Sequence, residues 1–256
     1  MKKLFKGIWA DRLEIGDELP IGGSIFRDEL TTKLILDINS FNGQLDSYHS
    51  PQNISENYVK NREKLIELLS GLNSKVNPYI FYVTHTIQQK VHSLMDIKPD
   101  YIPNDLERIL KFKNDKAKLT ELIGISMCAE RAAIGKYLLQ NVLEEPYSST
   151  FMAGVETPTP SDDTESHSLE AHSFIIIKDP NLKTYVFDIA RPFTGGTIPN
   201  IIPFVLETDI PLTYELFDKT KNLLVGATEV LMGQKGYFGV GNSMLMDQEL
   251  NVYSKD

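Results

Sequence analysis

One cysteine, Cys128, and five histidines, His49, His85, His92, His167 and His172, carry most of the nucleophilic and proton-transferring capacity of this 256-residue chain. A lone thiol forms no internal disulfide and no multi-cysteine zinc site, which leaves two readings: a small buried apolar residue or a nucleophile. The thiolate is the attacking species, and a helix N-terminus or a neighbouring imidazolium favours it. Cys128 falls in the first turn of a helix expected over 126–143, where Ala132, Ala133, Leu138 and Leu139 are strong helix formers. Ile134, Leu138 and Val142 mark one apolar face at i, i+4 and i+8. Ser126 is the expected N-cap, with Gly124 before it, and Glu130 then sits one position beyond the capping-box place. The unpaired N–H groups of such a turn suit a developing oxyanion.

Two further residues fit around the thiol. His172 opens an apolar strand-like run, His172-Ser-Phe-Ile-Ile-Ile, and Asp188 closes the next one, Tyr185-Val-Phe-Asp188. Asp179-Pro180-Asn181 between them reads as a hairpin turn. An odd loop, such as one of those three residues, pairs His172 with Asp188 on one face; an even loop separates them. Asp188 lies between Phe187 and Ile189 in a run of high β propensity, where a carboxylate usually has a partner, and His172 is the one the spacing offers. In such a pair the carboxylate fixes the imidazole tautomer and stabilises the imidazolium. The blander alternative is a histidine and an aspartate at loop edges.

The elements that must position these residues divide at Pro146. Before it the chain reads as helical: 55–72 with Val59, Ile66 and Leu69 on one face, and 78–95 with Ile80, Val83, Ile87 and Val91. Two short helices are expected at 105–112 and 115–123, after a proline-marked loop over 98–103. Thr31 to Ile38 suits a strand or a short helix equally. After Pro146 the texture is β: 149–155, 171–178 and 183–190 read as strands, and 156–170, rich in Thr, Pro, Ser and acids, as a connector. The tail carries a Gly-Gly loop, a helical stretch near 214–223 and a β-like run near 224–240.

The order of a helix led by cysteine, a strand beginning with histidine and a strand ending in aspartate resembles the transglutaminase-like (papain-like) cysteine enzymes. The resemblance rests on Gly124-Ile-Ser-Met-Cys128-Ala-Glu-Arg-Ala132, His172-Ser-Phe174 and Val186-Phe-Asp188. The separations are 44 residues from Cys128 to His172 and 16 from His172 to Asp188, and the match covers roughly 78–192. It implies an α+β fold with a transglutaminase-like core, in which the nucleophile helix packs on an antiparallel sheet behind a helical N-terminal region. Residues 1–75 would form that N-terminal region and 76–256 the catalytic domain. By the same resemblance Cys128 attacks, His172 moves the proton and Asp188 orients His172. The chain departs from the family at Ile189-Ala-Arg-Pro192, where Asp-Pro usually follows the strand, and at Ser173, where alanine is common. Gln88 and Gln89 are candidates for an oxyanion-hole side chain only by lying upstream of Cys128.

Other functions fit less well. Cys128-Ala-Glu130-Arg131 resembles the first motif of cytidine deaminases, but their zinc needs a later Pro-Cys-x-x-Cys and no second cysteine exists. His167 and His172 with Asp162, Asp163 and Glu165 read as solvated charge in a connector, so neither metal nor cofactor is expected. The net charge of −9, with lysines dispersed, disfavours a nucleic-acid partner. No apolar run reaches the roughly 20 residues of a membrane span, and no signal-peptide pattern opens the chain. The expectation is a cytoplasmic enzyme, or one exported without a cleavable signal. It would hydrolyse amide bonds of a protein or peptide as a protease or glutamine deamidase, through an acyl-enzyme. Acyl transfer to an amine, or an inactive binding protein on the same fold, are the alternatives.

Overall fold

Long apolar repeats without an internal breaker become helices. The computed structural model describes residues 8–20, 33–41, 50–71, 76–95, 116–158, 169–189, 204–208, 244–246 and 252–254. Among these, three α-helices are present: α1 (Pro51–Gly71), α2 (Pro78–Met95) and α3 (Cys128–Val142). Pro51 and Pro78 stand at first helical positions, where a missing N–H costs nothing. Ser50 and Asn77 cap these two starts, their side-chain oxygens accepting from the N–H of Asn53 at 3.2 Å and of Tyr79 at 2.9 Å.

Helix α2 is buried on almost every side, and Ile80, Val83, Ile87 and Val91 are fully buried as their spacing requires. It packs between α1 and α3. Helix α1 buries Leu69 as expected but turns Ile54 and Leu65 inward in place of Val59 and Ile66. Ile54, Leu65 and Leu69 are buried and Tyr58 packs edge-on against Tyr79 at 5.1 Å, whereas Val59 and Ile66 are exposed. Apolar residues sit at both 58–59 and 65–66, and the docking of Tyr58 onto α2 selects one stripe over its neighbour.

The main sheet has the order β1-β5-β6-β7-β8, antiparallel throughout: β1 (Ile8–Ala10), β5 (Ser148–Pro158), β6 (Leu169–Lys178), β7 (Thr184–Asp188) and β8 (Phe204–Thr208). Strands β2 (Glu18–Pro20), β3 (Lys33–Ile35) and β4 (Lys116–Lys118) make a small mixed sheet, and β9 (Met244–Met246) pairs with β10 (Val252–Ser254). Residues 116–122 are therefore not helical as expected: β4 is followed by a 3-10 turn at Leu119–Leu122. Parallel pairing with β3 holds that strand, and Asp37 accepts from the Leu119 N–H at 2.8 Å and the Thr120 hydroxyl at 3.0 Å. The expected helices at 105–112 and 214–223, the Gly-Gly loop and the 224–240 run lie outside the described residues. The two ends of the expected connector are strand, since β5 runs on to Pro158 and β6 starts at Leu169, and 159–168 lies outside the described residues.

Phe151, Ile175, Phe187 and Val205 pair in a row across four strands and are fully buried. A Cβ added to Gly135 of α3 would overlap Cδ1 of Ile189 and press on Cδ1 of Ile175, so this row faces α3. Phe174, Ile176 and Val186, on the alternate positions, are buried as well. Burial on both faces explains why β6 reads as an unbroken apolar run. One apolar cluster runs from Leu13 through α1, α2 and α3 to Val205, so the described N-terminal segments share the core. Among the described residues no helix is long and apolar enough to cross a membrane.

Candidate functional site

Helix α3 begins one residue later than expected. Met127, not Ser126, is the N-cap, which puts Cys128 at the first helical position and Glu130 at the third. The Glu130 carboxylate reaches back to accept from the Met127 N–H at 2.6 Å, so Glu130 occupies the capping-box position after all. Ser126 is drawn away from capping by Arg131, whose guanidinium donates to the Ser126 carbonyl at 2.8 Å and its hydroxyl at 3.4 Å. The first helical bond of α3 runs from Arg131 N–H to Met127 C=O. The N–H groups of Cys128 and Ala129 consequently have no carbonyl acceptor within the helix, while the Met127 side chain takes up that of Glu130. Gly124, at φ 79°, turns the chain into this helix and donates to the Met95 carbonyl at the end of α2 at 2.7 Å. A side chain at that φ is strained, which suits glycine. Cys128 itself is half-buried.

The two ends of α3 meet opposite ends of the sheet. At its C-terminal half, Gln140 brackets the backbone of Leu13, beyond β1. Toward its N-terminus, Gly135 abuts Ile189, just past the end of β7, and Arg131 acts on His92, which lies beside the Ile189 backbone. Cys128 thus lies toward the end of the sheet where β6 enters and β7 leaves. His172 is near the start of β6, its Cα paired with Val155, and Asp188 is the last residue of β7, paired with Phe204.

The hairpin between them is longer than a three-residue turn. Lys178 pairs with Thr184, leaving the five residues 179–183 as the loop. Asp179 sets this length: its Oδ1 accepts from the N–H of Asn181 at 2.8 Å and of Lys183 at 2.9 Å, and its Oδ2 accepts from the Tyr185 hydroxyl at 3.2 Å. The loop is odd, as the pairing on one face requires, but two residues longer. Ile175 pairs with Phe187, and continuing that register sets Asp188 across from Phe174, one pleat from His172. Along β7, Asp188 alternates with Phe187, which lies in the row facing α3. Asp188, and position 172 in line with Phe174 across from it, therefore fall on the sheet face turned away from α3 and Cys128. The Asp188 side chain is fully buried. Ser173, next to His172, is buried, and its hydroxyl has no hydrogen-bond partner among the described residues.

A second polar group lies beside the Cys128 helix. His85, Gln88 and His92, spaced three and four apart on α2, are all buried, as are Glu130 and Arg131 of α3. His92 is pushed down to about 3, first by burial and then by the Arg131 charge and by His85; the Ile189 backbone pulls the other way. A neutral imidazole with so low a pKa is a poor general base near pH 7, because the proton it takes up is not retained. Single-sequence reading singled out Gln88 only by its place upstream. The sequence signal for the whole group is the stripe 85–88–92 of polar residues without permanent charge, set beside the apolar face of Ile80, Val83, Ile87 and Val91. His167 and the acids at 162–165 lie outside the described residues. The chain matches no family model, no curated protein and no solved structure.

Proposed function

We propose that this protein is a thiol-dependent hydrolase of amide bonds on a transglutaminase-like core. In this reading Cys128 is the nucleophile, His172 the general base and acid, and Asp188 the residue that orients His172. The observation that carries it is the placement of Cys128 at the start of α3, toward the sheet end where β6 brings in His172 and β7 ends at Asp188. The first-turn N–H groups of Cys128 and Ala129, which no helical carbonyl takes up, supply donors for the oxyanion. Cys128 attacks the carbonyl carbon, His172 takes the thiol proton and returns it to the leaving amine, and water then resolves the acyl-enzyme. Positions 172 and 188 are diagonal neighbours, about 7–8 Å apart, on the sheet face away from α3, so this reading requires both side chains to reach Cys128 around the end of the sheet. The preferred substrate class is a protein or peptide.

Native protein alkylated with iodoacetamide near pH 7 tests the reading, with intact mass read over time. Cys128 is expected to label, and His172→Ala to slow labelling about tenfold or more, since the thiolate is the reactive form. Asp188→Asn is expected to slow it less. Equal rates in wild type and His172→Ala overturn the triad.

A further inference from the structure

A cavity of about 730 Å³ lies at the other end of α3 from Cys128. Asp11 and Arg12 after β1, Lys136 and Gln140 of α3, Met152 of β5 and Ile176 of β6 line it. Its volume is that of sites for organic molecules, roughly 300–1,000 Å³. Met152 and Ile176 are buried apolar side chains, so part of the wall suits an uncharged body.

Lys136 is the unusual member. It is 1% exposed, and a lysine so deep normally has an anionic partner. Its Nζ donates to Gln140 Oε1 at 3.0 Å, and among the described residues that neutral acceptor is its one hydrogen-bond partner. The same Gln140 oxygen already accepts from the Leu13 N–H at 2.9 Å. Asp11, whose charge favours the ammonium, is engaged by the Thr150 hydroxyl at 2.7 Å. Burial lowers the Lys136 ammonium to about 8; Asp11 opposes this and Arg12 adds to it. An ammonium held this way keeps further N–H donors for an acceptor in the cavity.

We propose that this cavity binds an organic molecule with an oxyanion head and an apolar body, the head meeting Lys136 and the body lying against Met152 and Ile176. The site is independent of the Cys128 reading. Arg12 and Lys178 add positive charge at its walls, Asp11 and Glu145 oppose it, and Tyr147 is the remaining titratable group. An anion at Lys136 stabilises the protonated amine, so binding takes up protons near pH 8 and weakens as the amine deprotonates.

2-Naphthoate, a carboxylate on an apolar ring, is the probe, titrated calorimetrically into the full chain near pH 7 and near pH 9.5. One saturable site is expected, about tenfold or more weaker at the higher pH. Lys136→Met weakens it about tenfold at the lower pH, and Lys136→Arg, which keeps its charge, binds alike at both. No saturable binding up to millimolar probe, or binding unaffected by both pH and Lys136→Met, overturns the proposal. Should Lys136→Met not fold, the wild-type pH pair decides: equal affinity overturns the site and loss at high pH upholds it.

Discussion

At the scale of single residues, buried polar side chains beside Cys128 set the acid response of the fold. His92 has an ordinary value near 6.5 when unfolded and about 3 when folded. Between those limits only the unfolded chain binds the proton, so stability is complete above about pH 6.5 and falls as pH drops toward 3, by roughly 1.4 kcal/mol per pH unit. Carboxylates add their own losses below about pH 5, so the informative window is about pH 6.5 to 5. Urea midpoints across that window should fall in wild type and stay nearly level in His92→Gln; equal slopes would show that His92 is not held neutral. Glu130 makes a second contribution by accepting from the Met127 N–H. Glu130→Ala should cost about 1–2 kcal/mol by orphaning that donor, while Glu130→Gln, still an acceptor, should cost less. Thermal melts of the two variants separate a cap from a charge effect.

At the scale of elements, the sequence was most readable where one pattern had no competitor. The uninterrupted repeat Ile80, Val83, Ile87, Val91 specified α2, and alternating burial on both faces hid nothing about the β character of β6. Competing signals were less readable. Ser126 and Met127 contend for the cap of α3, and only the reach of Glu130 and the pull of Arg131 on Ser126 decide between them. The length of the β6–β7 loop depends on the side chain of Asp179 holding two amides, which no turn dipeptide announces. Gly135 was silent in sequence, being merely tolerated in a helix. In the structure it is where α3 approaches the sheet, against Ile189 and Ile175. Gly135→Ala gains roughly 0.5–1 kcal/mol of helix propensity but forces a methyl onto Ile189 Cδ1, and overpacking of about 1–3 kcal/mol outweighs it. Since the clashing atom is Cδ1, Ile189→Val removes it. The double variant should therefore be more stable than Gly135→Ala alone, and strict additivity in a double-mutant cycle would refute the contact.

At the scale of the whole molecule, what joins the N-terminal segments to the sheet is non-local and carries no sequence pattern. Strand β1 pairs with β5 some 140 positions away, and Gln140 both accepts from the Leu13 N–H at 2.9 Å and donates to the Leu13 carbonyl at 2.7 Å. A side-chain amide here supplies the two bonds that a neighbouring strand would make, three residues beyond the end of β1. Leu13 is fully buried in the same apolar cluster as Ile175, so this clamp fixes a core residue as well as a strand. Gln140→Ala orphans both backbone groups of Leu13 and removes the hydrogen-bond acceptor of Lys136, for a cost of about 2–4 kcal/mol. Gln140→Glu keeps the acceptor and gives Lys136 a carboxylate, but it cannot donate to the Leu13 carbonyl and should lose less. Hydrogen exchange locates the effect: amides of 8–13 and their β5 partners at 151–153 should exchange faster in Gln140→Ala, while α2 amides slow or fast only with global stability. Uniform acceleration across both regions would mean that the clamp belongs to the global core rather than to the attachment of β1.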